Sequence, residues 1–262
     1  MRWWLAAPHA ECLLQFSALL RSSVYRGTGV PRGNGEPVLL IPGFFAGDWT
    51  LVVLGGWLRR IGYNTFLSGI DLNVGPPART GNVLGWRLDH IARETGRQVV
   101  LAGHSLGGLL ARFMASRFPG HIRHVVTLGS PIYEPLRATT HPLVRSVFRG
   151  VHSAWGAVGV PGPEAGFFQE VASPLPQGIG FTAIFSKEDE VVDWRACLDP
   201  QGDSQEVSGG HASLIVNPEA YRALAIALAK CTQGTENPWA QERENGPAPG
   251  QENGRAAEGS GP

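Results

Sequence analysis

The sequence predicts an α/β fold: a mainly parallel sheet with helices on both faces. Short apolar runs alternate with longer stretches whose apolar residues recur at three- and four-residue intervals, the rhythm of strand and helix in turn. Several of those runs are apolar at every position, as a strand buried on both faces requires. The chain has 262 residues, 43% hydrophobic and 17% charged, enough for one sizeable core.

Taken in order, residues 10–21 (AECLLQFSALLR) carry apolar side chains at helical spacing and predict an amphipathic helix packed on the body. Strands follow at Val38 to Ile41, Asn64 to Leu67, Val99 to Ala102 and His124 to Leu128, the first, third and fourth continuously apolar. Helical periodicity fills the gaps at Trp49 to Ile61, Val83 to Glu94 and Leu106 to Arg117. The next strand, Phe181 to Phe185, comes only after a stretch far longer than the 2 to 6 residues typical of such connections. That insertion, about 131–178, holds an amphipathic pattern around Leu143 to Trp155, a Pro- and Gly-rich stretch and the pair Phe167-Phe168, and reads as a lid over a pocket. A short strand at Gln205 to Val207 and a helix at Pro218 to Lys230 complete one domain of residues 1–233. From 234 to 262 aliphatic side chains are nearly absent, so burial cannot offset the entropy of ordering and a disordered tail is expected.

Basic and acidic residues balance at 22 each, which gives no electrostatic footprint for nucleic acid. No apolar run approaches the roughly 20 residues of a membrane-spanning helix, so stable membrane insertion is not expected; transient contact with a lipid surface is the lesser alternative for residues 10–21. The stretch after the first residues is broken by Pro8, His9 and Glu11, which leaves no export signal and makes the cytoplasm the expected location. Cys12, Cys197 and Cys231 are too few and scattered for a disulfide framework or zinc site and read as buried thiols. His121 and His124 form an H-x-x-H without a carboxylate beside it and read as solvated turn residues, so no metal is expected. Gly27-Thr28-Gly29 lacks the strand-then-helix context of a dinucleotide site, and no cofactor is implied.

The chemistry concentrates in VVLAGHSLGGL, residues 99–109. An apolar strand runs into Gly103-His104-Ser105-Leu106-Gly107 and then into a helix, the setting of a G-x-S-x-G nucleophile elbow. The flanking glycines allow a sharp turn that lifts the Ser105 hydroxyl above the sheet edge. A serine hydroxyl is a weak nucleophile at neutral pH, so a histidine base and a carboxylate must follow. Both do: Lys187-Glu188-Asp189-Glu190-Val191-Val192-Asp193 after one strand, and Gly209-Gly210-His211 after the next. Glu188, Asp189, Glu190 and Asp193 all compete as the acid.

On IPGF at 41–44, GHSLGG at 103–108, VVTLGSP at 125–131, SKEDEVV at 186–192 and GGHASL at 209–214, the chain resembles the α/β-hydrolase superfamily, and within it the lipase and esterase group. The resemblance covers roughly Pro37 to Lys230. It implies an α/β-hydrolase fold, Ser105, Asp189 and His211 as triad, with Asp193 the serious rival of Asp189, and the backbone N–H groups of Phe44 and Leu106 as oxyanion donors. Phe45, His104, Phe148, Trp155, Phe167 and Phe168 are candidate substrate contacts. The expected activity is hydrolysis of a small-molecule acyl ester or thioester. Transfer of the acyl group to another acceptor, as in an acyltransferase, thioesterase or cyclase, and a non-catalytic binding scaffold are the alternatives, and oligomeric state is left open.

Overall fold

A computed structural model describes residues 3–133, 141–157 and 165–232. Its centre is a six-stranded, fully parallel sheet: β1 (Pro37–Ile41), β2 (Asn64–Leu67), β3 (Val99–His104), β4 (Ile122–Leu128), β5 (Gly180–Phe185) and β6 (Asp203–Glu206), in the order β2-β1-β3-β4-β5-β6. Helices α1 (Trp3–Arg21), α2 (Val52–Arg60), α3 (Pro77–Thr95), α4 (Leu106–Arg117), α5 (Pro142–Ala157), α6 (Ala165–Ala172) and α7 (Pro218–Thr232) surround it.

Alternation along β1 shows why both faces must be covered. Val38 and Leu40 enter a core layer with Leu19, Trp57, Leu224 and Leu228 from α1, α2 and α7, whereas Leu39 and Ile41 enter a second layer with Leu88, Leu109 and Phe113 from α3 and α4. All five residues of β1 are buried. Helix α5 and helix α6 occupy the predicted insertion, and Phe148 and Phe167 carry them into the second layer.

Some expectations shift. The helix expected from Trp49 divides into a 3₁₀ turn, Asp48–Leu51, and α2, and α3 begins at Pro77, whose fixed φ suits the first helical position. Helix α1 starts at Trp3, well before Ala10. Strand β6 starts two residues earlier than expected, ends one earlier and is polar (DSQE), because it is an edge strand with little surface to bury. Lys187 and Lys230 meet its two acids, Nζ to Glu206 Oε2 and to Asp203 Oδ2, both at 2.7 Å. His121 does have a carboxylate, Asp89 Oδ1 at 3.1 Å, and His124 lies half-buried on β4 against Thr182 Oγ1 at 2.9 Å. Cys197 and Cys231 are buried, but Cys12 on α1 is only half-buried. Among the described residues no helix is long and apolar enough to cross a membrane. Residues 234–262 lie outside the described residues.

On α4, Arg112 is fully buried. Its guanidinium donates to Asp199 Oδ2 at 2.7 Å, Val171 O at 2.8 Å and Ser173 O at 3.0 Å, so it ties α6 and the segment after it to the body. Removing the carboxylate strands a buried cation, and Asp199→Ala is expected to lower unfolding free energy by about 3–5 kcal/mol in a urea titration.

Candidate active site

The order of the sheet determines where a site can form. The chain steps from β1 out to β2 and back past β1 to β3, so connections leave β1 and β3 in opposite directions and open a crevice at their C-terminal ends. Phe44 follows β1, and Ser105 follows β3 as the residue that caps α4.

Ser105 has φ 52° and ψ −120°, one of two non-glycine residues with positive φ among the described residues. The backbone around it holds that strained angle: Ser105 N–H donates to Leu128 O at 2.9 Å, and Gly108 N–H to Ser105 O at 3.0 Å. Only glycine fits at 103 and 107, since a Cβ at either would strike backbone, that of Gly107 and Gly108 in the first case and of Ile41 and Pro42 in the second. The side chain of Ser105 makes no capping bond to α4, so its hydroxyl is not spent on the helix.

His211 opens a 3₁₀ turn, His211–Val216, beyond β6. Its Nδ1 lies 2.7 Å from Asp189 Oδ2, and both side chains are largely buried, 10% and 2% exposed. A carboxylate can only accept, so Nδ1 carries a proton, and in the neutral imidazole the lone pair is then on Nε2. Asp189 is held in turn, its Oδ1 accepting Val191 N–H and Val192 N–H at 2.8 Å each. Gly129, at φ 56°, passes directly beneath this pair: a Cβ there would lie 3.1 Å from Asp189 Oδ2 and 3.2 Å from His211 Nδ1. Asp193 instead accepts Arg195 N–H at 3.0 Å and caps the turn Trp194–Cys197. Glu188 and Glu190 bond the amides of Gly209 and His211, at 2.7 and 3.1 Å.

His104 supports the same region. Its Nε2–H donates to His211 O at 3.0 Å, and the two rings stand 4.8 Å apart. Burial, with the neighbouring His211 next in weight, pushes its pKa down to about 3, so it stays a neutral brace. Burial likewise lowers His124 from 6.5 to about 4. Both folded-state values lie below the unfolded one, so the unfolded chain takes up protons first as pH falls. Stability is therefore complete above pH 6.5 and declines towards pH 4. Thermal melts across that window should fall in wild type and fall less steeply in His124→Gln.

The loop after β1 is fastened by Asn73, which is buried. Its Nδ2 donates to Pro42 O at 2.8 Å, its N–H to Ala46 O at 2.8 Å, and its carbonyl accepts Phe45 N–H at 3.1 Å. Phe45 takes the second positive φ, 57°. Gly43 lies close enough to the elbow that a Cβ would be 3.2 Å from Ser105 Cβ, which brings the Phe44 backbone beside the serine.

A cleft at Ser105 is lined by Phe44, Leu106, Leu109, Pro131, Val144, Arg145, Phe148, Phe168, Val191 and Val192. Phe148 and Phe168 are two of the candidate contacts named above, Phe44 and Leu106 were named for their backbone N–H groups, and Val191 and Val192 follow the acid directly. Phe167 is buried against Phe113 with ring centroids 5.1 Å apart, and its aromatic neighbour Phe168 is the one that reaches the cleft. Phe45, about half exposed, packs on Phe44 outside the lining, and His104 stands behind His211. The side chain of Trp155 lies outside the described residues. No group of three or more metal-ligating side chains occurs among the described residues.

Comparison with known proteins agrees with this architecture. Over 104 residues the chain is 31% identical to a triacylglycerol lipase of Pseudarthrobacter phenanthrenivorans, a match covering 36% of this chain and 33% of the lipase. The chain thus spans about a third of the length of the curated relatives it matches. Among solved structures, the metagenomic carboxyl esterase MGS0156 superposes with TM-score 0.57 at 16% identity, covering 76% of this chain and 78% of the esterase. The monoacylglycerol lipase of Paleococcus ferrophilus superposes with TM-score 0.55 at 17% identity, covering 77% and 97%. The pattern of the alpha/beta hydrolase family matches residues 38–260, from β1 through every strand of the sheet, and the chain belongs to that family.

Proposed function

We propose that the chain is a serine hydrolase of carboxylic esters, esterase- or lipase-like, acting through an acyl-enzyme on Ser105. The observation that carries this reading is the His211–Asp189 contact of 2.7 Å, which leaves His211 Nε2 as the acceptor for a proton. In the proposed reaction Ser105 Oγ attacks the ester carbonyl and His211 takes its proton. The N–H groups of Phe44 and Leu106 receive the oxyanion; Leu106 opens α4, where amides have no intrahelical carbonyl to bond. Each such donor contributes about 3 kcal/mol to the transition state. His211 then protonates the leaving alkoxide, and water, activated by the same imidazole, releases the acid. Asp189 holds the imidazole and stabilises its protonated form.

The substrate class follows from the cleft. Apart from Ser105 and Arg145 its lining side chains are apolar, which favours an aliphatic acyl group. Val144 and Phe148 come from α5 and Phe168 from α6, so these helices form a lid over that acyl group in this reading.

The test is hydrolysis of p-nitrophenyl esters of increasing acyl length by wild type and Ser105→Ala, with fluorophosphonate labelling alongside. Serine-dependent turnover that rises with chain length supports a lipase-like esterase; turnover confined to short chains supports a small-ester esterase. Labelling of Ser105 without hydrolysis of any ester would move the assignment to acyl transfer or thioester chemistry. Absence of labelling would leave a binding scaffold.

A further inference from the structure

Helix α1 lies upstream of the segment that matches the family, which begins at residue 38, yet it reaches the turn that carries His211. Glu11, Gln15 and Leu19 recur at four-residue spacing and share one face of α1. Leu19 is fully buried in the core layer that also holds Leu214, which seats this face against the turn. Glu11 Oε1 accepts Gly210 N–H at 2.5 Å and lies 3.1 Å from Ser213 Oγ, whose one hydroxyl proton is shared with Gly210 O at 2.8 Å. One carboxylate oxygen thus holds the residue before His211 and the residue two beyond it.

With Glu188 on Gly209 and Glu190 on His211, three consecutive amides each bond a different carboxylate. The packing is close: a Cβ at Gly210 would lie 2.6 Å from Glu190 Oε2 and 2.9 Å from Glu11 Oε2. Glu188 and Glu190 flank Asp189 and arrive with it. Glu11 arrives from 199 residues away on another element.

We infer that Glu11 is a positioning residue for catalysis, acting through Gly210 and Ser213 to set the His211 turn, so that α1 is part of the working site. The inference rests on the serine-hydrolase reading above. Asp189 fixes Nδ1 of the imidazole, but where Nε2 points also depends on the backbone that carries the ring. A general base must come within about 2.6–3.2 Å of the proton it removes. Without Glu11 the Asp189 contact and the Leu19 packing survive, while Gly210 and Ser213 lose their polar tie to α1. No described side chain of α1 lines the cleft, so KM is expected to be unaffected.

The experiment measures kcat and KM on a p-nitrophenyl ester and the rate of fluorophosphonate labelling at Ser105, for wild type, Glu11→Ala, Glu11→Asp and Glu11→Gln. Glu11→Ala and the shortened Glu11→Asp are expected to lose about 10- to 100-fold in both kcat and labelling rate, with KM unchanged. Glu11→Gln keeps the accepting oxygen and should stay within about threefold of wild type. Folding of each variant is checked by thermal melt, and Glu11→Asp, the mildest change, carries the test if Glu11→Ala does not fold. Wild-type kcat and labelling in Glu11→Asp, or a loss in proportion to lost stability without rescue in Glu11→Gln, would overturn the inference alone. A wild type that neither turns over nor labels would overturn the hydrolase reading and this inference with it.

Discussion

Ser105→Ala is expected to lower kcat on p-nitrophenyl esters by at least about 10⁴-fold and leave the fold intact. Removing the hydroxyl removes the attacking atom, and residual turnover then comes from binding and the oxyanion donors. The same position makes a second, opposite prediction about stability. Ser105 holds φ 52°, a region that costs a non-glycine residue about 1–3 kcal/mol. Ser105→Gly should therefore be as inactive as Ser105→Ala but more resistant to urea, which would show that the elbow is maintained for reactivity. Turnover at wild-type level in either variant would remove Ser105 from the mechanism.

Asp189→Asn has the second large expected effect, about 10⁴-fold in kcat. The amide can keep the bonds from Val191 and Val192 through its oxygen, so the loop should hold its shape. Its NH₂ would then face His211 Nδ1 and force that nitrogen to accept, which moves the imidazole proton to Nε2. A histidine in that tautomer cannot take the serine proton. Asp193→Asn alters the cap of Trp194–Cys197 and the ion pair with Arg195, neither of which involves His211, and should cost little activity. A larger loss at Asp193 than at Asp189 would reverse the assignment.

The sheet and the elbow were legible because both are local. An apolar run bounded by turn residues reports burial on two faces, and β1 is buried at all five positions as its PVLLI composition implies. The serine, its glycines and the helix after it lie within one short stretch, so the elbow could be read without knowing the fold. The choice between Asp189 and Asp193 was not local: four acids lie within six residues, and which one meets His211 depends on how the loop after β5 turns. Asn73 and Glu11 escaped for the same reason. Nothing around either residue signals that it will bond the loop after β1 or the turn at His211, contacts made across 31 and 199 residues. Phe167 and Phe168 illustrate a finer limit. Composition marks both as apolar, but only the phase of α6 decides which enters the core and which reaches the cleft.

The sequence has only two lysines, and both meet strand β6, one near each end of it. The side-chain amines of this protein are therefore gathered along a single edge of the sheet, while β1 and β3, between which the crevice opens, lie towards the other side. An amine-reactive support or fluorophore would join its side chains along that one edge. With the α-amino group blocked, immobilisation through lysine would then present the molecules with a common orientation, the β2 edge turned away from the support.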